Sequence, residues 1–150
     1  MANVIPFSFR GALFSGNHDF ATSGNTFKLA LYTAGSGSPY STASTVYTSG
    51  TSNQVGTSGT GYSTNGNTLG AQAVASGTAV ASVDFADTEW TSATFTAAYG
   101  VIYNSTTVDS TADRLVVVLD FGGDKTCTNG TFKITFPNPA TPGDAILSMA

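Results

Sequence analysis

Charge is scarce in this chain. Asp, Glu, Lys and Arg make up 9% of the 150 residues, against roughly 25% in ordinary domains. The net charge of −4 gives no basic footprint for nucleic acid. There is one cysteine, Cys127, so no internal disulfide forms and folding relies on packing. There is one histidine, His18, and no CxxC, HxH or HExxH pattern, which removes support for a zinc site. No apolar run approaches the length of a membrane span. The opening MANVIPFSFRG lacks the apolar core of a signal peptide, so synthesis in a cytoplasm-like compartment is expected.

Hydroxyls and backbone stand where charge is missing. Thr, Ser and Gly supply more than a third of the residues. A neutral hydroxyl surface is cheaper to desolvate than a charged one, which suits a protein packed against neighbours.

The most patterned stretch is Ala93 to Phe136. Phe95 to Tyr103, Leu115 to Phe121 and Phe132 to Phe136 are short apolar runs rich in β-branched and aromatic residues. Asn104, Gly122-Gly123, Asn129-Gly130 and Pro137 bound them, which predicts a three-stranded meander. Leu115–Phe121 is nearly all apolar and predicts a central strand covered on both faces. Thr131–Phe136 alternates, with Phe132, Ile134 and Phe136 inward.

Before this block, Phe27–Tyr32 alternates as a strand with Phe27, Leu29 and Leu31 inward. Thr68–Ala75 and Val80–Phe85 predict a hairpin turning at Ser76-Gly77, and Trp90 opens the next strand. After it, Pro137, Pro139 and Pro142 form a stiff connection to a last strand at Ala145–Met149. The expected fold is all-β: an antiparallel, jelly-roll-like sandwich of about eight strands with a short N-terminal helix or arm. Residues 1–10 are the arm, and 11–150 form one domain. Within Ser8–Gly16 a short helix would have Ser8 as N-cap and Gly16 just past its end. Residues 33–67 are a Ser/Thr/Gly-rich loop, with short strands near Val46-Tyr47 and Gly61-Tyr62, expected to be exposed and to adapt to a partner.

Sites for chemistry are few. His18 stands beside Asp19, but no nucleophile motif accompanies it, so a structural role at a turn or helix end is expected. Asp84, Asp87 and Glu89 form the one close acidic cluster; turn bonding, a weak metal site and a glycosidase pair are the readings it allows. Asp120 and Asp124 flank a glycine pair and read as structural, with Lys125 or turn amides as partners. Asp109, Asp113 and Arg114 read as solvated hairpin residues. Cys127 lacks an activating neighbourhood beyond Lys125 and reads as a passive thiol. Trp90, Tyr99 and Tyr103 are either core anchors or a sugar-stacking platform.

The segments FKLALYT, GTGYSTNGNTL, VDFADTEWTSATFTAAYGVIYN, LVVVLDFGGDKTCTNGTFKITFP and AILSMA, in this order behind GALFSGNHDF, resemble a family of small virion structural proteins of tailed bacteriophages and prophages. The likeness covers about residues 11–149 and is most specific over 83–136. It departs at Ala98-Tyr99-Gly100, where a basic residue often precedes the glycine, and at Cys127, where Ser or Val is usual. The resemblance implies a capsid cement (decoration) protein without enzymatic activity, cofactor or metal. Such a protein is made in the host cytoplasm and resides on the capsid surface of the virion. Its implied partners are the major capsid protein and further copies of itself, as homodimer or homotrimer, with no nucleic acid or membrane. For this role the arm residues Val4, Ile5, Phe7 and Phe9 and the loop residues Tyr40, Tyr47 and Tyr62 are the expected interface, ordering on assembly. The alternatives are a tail-fibre, head-fibre or spike module that binds host glycans through Trp90 and the tyrosines, and a glycosidase built on the acidic cluster.

Overall fold

In the computed structural model, which describes residues 3–76, 80–137 and 145–149, one helix precedes seven strands. They are α1 (Phe7–Phe14), β1 (Phe27–Tyr32), β2 (Asn67–Thr68), β3 (Ala73–Ser76), β4 (Ala81–Asp84), β5 (Thr88–Asn104), β6 (Arg114–Ile134) and β7 (Leu147–Met149). All pairings are antiparallel. One sheet has the order β2-β1-β5-β6 and the other β3-β4-β7. The all-β antiparallel class therefore holds. One core cluster unites Phe27, Leu29, Ile102 and Val117 of the large sheet with Leu147 of the small one, as two packed sheets require. Pro139, Pro142 and Gly77 lie outside the described residues. No helix among the described residues is long and apolar enough to cross a membrane.

The meander is not formed. β5 and β6 are instead two long strands of 17 and 21 residues that make one hairpin. The reason lies in how positive φ is used. Gly122, Gly123 and Asn129 all have φ > 0, but the chain continues along the same strand beyond them. Between the pairs Ala97↔Lys125 and Tyr99↔Asp120, β5 contributes one residue and β6 four, so Phe121–Asp124 bulge outward. Asn129 is the extra residue of a second bulge opposite Thr94, whose hydroxyl accepts the Asn129 N–H at 2.9 Å. Bulges bend and twist a ribbon without ending it. The reversal itself is Val108-Asp109-Ser110-Thr111. Both central residues have positive φ, and Val108 and Thr111 exchange two backbone bonds of 3.0 Å, the primed turn that suits strand twist. Fusing the expected strands lowers the count from about eight to seven.

β1 is covered on both faces. Phe27, Leu29 and Leu31 enter the main core as their alternation predicts. Ala30 and Tyr32 are buried as well, in a second cluster with Tyr47, Val101, Tyr103, Leu115 and Val118. The roof over this second cluster is the 33–67 loop, which is largely exposed as expected but is anchored by the buried Tyr47, Val55 and Tyr62. Tyr47 stacks on Tyr103 with ring centroids 4.0 Å apart and 8° between planes. Gln54 Nε2 donates to the hydroxyl of Tyr47 at 2.9 Å, and Leu31 N–H donates to the hydroxyl of Tyr62 at 3.0 Å. Of the two short strands expected there, only an isolated bridge between Val46 and Arg114 forms.

Leu115–Val118 is buried on both faces, but it is not central: β6 is an edge of its sheet. The edge is blunted by the chain itself. Val4 and Val118 exchange backbone bonds of 2.9 and 2.8 Å. Leu115 N–H reaches Thr45 O at 3.1 Å, and Tyr47 N–H reaches Asp113 O at 2.7 Å. Over residues 113–120 the edge is covered in this way and offers no free ladder to another strand. The expectation of an unpacked arm is thus overturned: its residues 3–6 lie along β6, and residues 7–10 already belong to α1.

α1 begins at Phe7 after Pro6 and has no side-chain cap. Phe7 N–H donates to Thr42 O at 2.8 Å instead. Ser8, expected as the cap, lies in the first turn and donates its hydroxyl to Ser44 O at 2.9 Å. The helix end is as the sequence indicates. Gly16 has φ 70°, Gly16 N–H bonds Leu13 O, and Asn17 N–H bonds Ala12 O, which is a Schellman closure.

Candidate functional site

That closure turns the chain inward and buries His18. Its ring lies 4.9 Å from Phe9 and is stacked towards Phe20 and Phe27. Asn104 Nδ2 lies 3.2 Å from His18 Nδ1 and 2.8 Å from Asn25 Oδ1. Donation from the amide makes Nδ1 an acceptor and leaves the proton on Nε2, which has no partner among the described residues. Asp19 is not the orienter of a dyad: its carboxylate accepts Ala21 N–H at 2.9 Å. The structural reading of His18 is the one the geometry bears out.

Burial, aided by the positive charge of Arg114, lowers the His18 imidazole from 6.5 to about 4. The folded chain therefore binds fewer protons than the unfolded chain between these values. Stability from this group is complete above pH 6.5 and falls as pH drops towards 4, by about 3 kcal/mol. NMR of the imidazole protons is expected to show a midpoint near 4 in the native chain. His18→Leu is expected to remove the corresponding part of the pH dependence of urea unfolding.

The acidic cluster is organised around Lys133. Asp87 pairs with Lys133 at 2.9 Å and accepts Phe136 N–H at 3.0 Å. The hydrogen bond from Lys133 holds the Asp87 carboxyl below its usual range. Asp84 is buried, and burial raises its carboxyl. Glu89 is exposed and opposite Lys133 in register. Among the described residues, no three His, Cys, Asp or Glu side chains are grouped to hold a metal. Asp120 Oδ1 accepts Gly122 N–H at 2.9 Å, in its own turn, and Asp124 is exposed. Cys127 is a free, half-buried thiol against the core. Arg114 is half-buried rather than solvated.

The aromatic platform is absent from the surface. Trp90, Tyr99 and Tyr103 are all buried. Trp90 packs between Tyr62, Phe95 and Phe132.

Most of the expected interface is likewise turned inward. Phe9, Tyr47 and Tyr62 are buried. Ile5 is partly buried against the main core, while Val4 and Tyr40 pack on the second cluster. The physical reason is shared: these side chains supply the apolar area that roofs a sheet whose own strands cannot cover both faces. Phe7 alone of the seven is open, at 62% exposure.

Phe7 belongs to a surface the sequence reading missed. Phe7, Arg10 and Phe14 stand at i, i+3 and i+7 on one face of α1, opposite the buried Phe9 and Ala12. Phe14 is 95% exposed, and the Arg10 guanidinium lies 5.4 Å from the Phe7 ring centroid. Behind this ridge is an apolar groove of about 430 Å³ between α1 and the small sheet. Arg10 and Leu13 line one side, and Val74, Val83, Leu147 and Met149 the other. Val74 and Met149 are themselves 58% and 64% exposed. A signal was present: an eight-residue helix with phenylalanines at 7, 9 and 14 cannot bury all of them on one face. An exposed apolar ridge beside an apolar groove is the kind of surface that marks a binding site on a soluble chain. No protein-family model, no curated protein and no solved structure matches this chain.

Proposed function

We propose that this chain is a bacteriophage virion structural protein, a capsid cement that binds the outer shell and stabilises contacts between capsomers. The observation that supports this reading is the α1 ridge with its groove, on an otherwise hydroxyl-rich surface. The sequence resemblance supplies the virion context. On this reading the docking element is the outward face of α1 and the rim of the small sheet, and the major capsid protein or a further copy of the chain covers it. Residues 3–6 of the arm are not the docking element, because they already lie along β6; Phe7, further along it, belongs to the ridge. Repetition over a symmetric shell makes many modest contacts add up, so a small ridge suffices. Nothing in this role calls for bond-making.

The test is the double variant Phe7→Ser/Phe14→Ser. Both side chains are exposed, so stability in urea is expected to change by less than about 1 kcal/mol. Binding to shells of the encoding phage that lack this protein is expected to fall at least about tenfold, the scale of a lost hot spot. Unchanged binding by a folded variant would refute this docking face.

A further inference from the structure

The small sheet ends at β3 on one side. Three of the four β3 residues, Ala73, Val74 and Ser76, are exposed, Val74 at 58%. The register with β4 runs through four successive pairs without a shift, so the edge is regular. Residues 71–76 hold no charge and no proline. The other edges are protected. β6 is covered over residues 113–120, then bulges and carries Asp124, Lys125 and Lys133. β2 and β7 have only two and three residues. Charge, bulges and shortness are the usual devices against edge pairing, and β3 has the least of them. It is also held in place: Gln72 Nε2 donates to Ala21 O at 2.7 Å and to Asn25 O at 2.8 Å, which fixes the chain just before the strand.

Ala75 O lies 3.5 Å from the hydroxyl of Ser82, its partner on β4, so this carbonyl points into the sheet. Backbone groups alternate along a strand, which turns the N–H and C=O of Val74 outward. Antiparallel pairing of β3 with itself, about a two-fold axis at Val74, lets the two Val74 residues exchange both backbone bonds and sets Ala73 opposite Ala75. We propose that β3 is a self-association edge, on which a second copy of this chain adds its own β3 and joins two three-stranded sheets into one. The occupant is a copy because the strip is self-complementary. Neutral meets neutral, and no charge is brought against its like. Asp84, opposite Ala73 on β4, is buried, and Arg10 stands across the groove on α1. Val74 lines that groove. The axis is perpendicular to the sheet, so the two valines meet on the groove face, where a β-branched cross-strand pair is favourable. The two grooves then open on the same side of one sheet, and the dimer presents two α1 ridges together. The contact is small, below the roughly 1,200 Å² of a standard stable complex, so the dimer is expected to dissociate on dilution.

Sedimentation equilibrium of the full chain is expected to give a mass that rises from 15.2 kDa towards twice that value as the concentration approaches about 1 mM. Val74→Lys sets two ammonium groups face to face at an exposed position; it is expected to stay monomeric with an unchanged urea midpoint. Val46→Lys, exposed but outside the strip, is expected to dimerise as the parent does. Mild oxidation on a Cys127→Ser background reads the register. Val74→Cys puts its two Cα atoms about 5.5 Å apart, within disulfide range, and is expected to cross-link. Ala73→Cys puts them about 8 Å apart and is expected not to. A chain that stays at 15.2 kDa, a Val74→Lys variant that dimerises like the parent, or equal cross-linking from both cysteines would each overturn the proposal. No shell enters these measurements, so failure here is distinct from failure of the cement reading.

Discussion

Asn104→Ala is expected to lower the unfolding free energy by about 3–4 kcal/mol, a large share of what a domain of this size holds. Asn104 closes β5 and has no exposed surface. Its Nδ2 faces Asn17 O, His18 Nδ1 and Asn25 Oδ1, and its Oδ1 accepts Thr106 N–H at 3.0 Å. One side chain thereby joins the segment after α1, the turn before β1 and the start of the hairpin loop. Alanine removes both halves of the amide and leaves buried groups at Asn17 and His18 without partners, each worth about 1–3 kcal/mol. Urea unfolding should show a lower midpoint with an unchanged slope. Thr106→Val is the control. It removes the exposed bond from Thr26 N–H to the Thr106 hydroxyl and should cost about 1 kcal/mol or less. Equal effects from the two variants would mean that Asn104 is not the junction described.

Gly66→Ala is expected to cost about 3 kcal/mol or more, while Gly50→Ala costs about 1 kcal/mol. Both glycines have positive φ, 72° and 66°. They differ in what surrounds them. A Cβ on Gly50 meets nothing within 4 Å, so only the conformational preference is lost. A Cβ on Gly66 would overlap the Leu29 carbonyl oxygen, in the middle of β1. Backbone cannot yield there as a side-chain tip can. The loop would lift at the point where Asn65 meets the hydroxyls of Tyr47 and Tyr103. Comparison of the two alanine variants by chemical denaturation, with tyrosine fluorescence as a second probe, isolates the close approach from the φ preference.

The elements that could be read from the sequence are those settled by near neighbours. In Thr131–Phe136 the side chains named as inward are the buried or partly buried ones; in Phe27–Tyr32 the inward set is buried as named, but Ala30 and Tyr32 on the other face are buried too. Gly16 closes α1 because an end of helix needs a residue at positive φ. The errors share one origin, which is distance along the chain. Gly122-Gly123 and Asn129 announce positive φ, but a turn and a bulge both use it, and only the partner strand decides. Tyr47 and Tyr62 sit in a polar stretch that looks solvent-facing. What buries them are Tyr103, Trp90 and Phe95, a few tens of residues away. Val4 likewise finds Val118. Of the exposed α1 face the sequence pointed to Phe7 alone, and Phe14 was missed for the same reason in reverse: it is open while Phe9, Phe20 and Phe27 fill the core.

On the proposed reading, the burial of arm residues 3–6 and of Tyr47 and Tyr62 leaves preformed surface for contact, the α1 ridge and the groove behind it. Preformed contact carries a smaller ordering penalty than a folding arm would, and it fits a component bound at every equivalent site of a shell.

Quantitative mass spectrometry of purified virions tests the cement reading most directly. The expected result is a fixed, high ratio of this chain to the major capsid protein, kept in shells stripped of their tails. A few copies per particle that leave with the tail, or no copies at all, would contradict it.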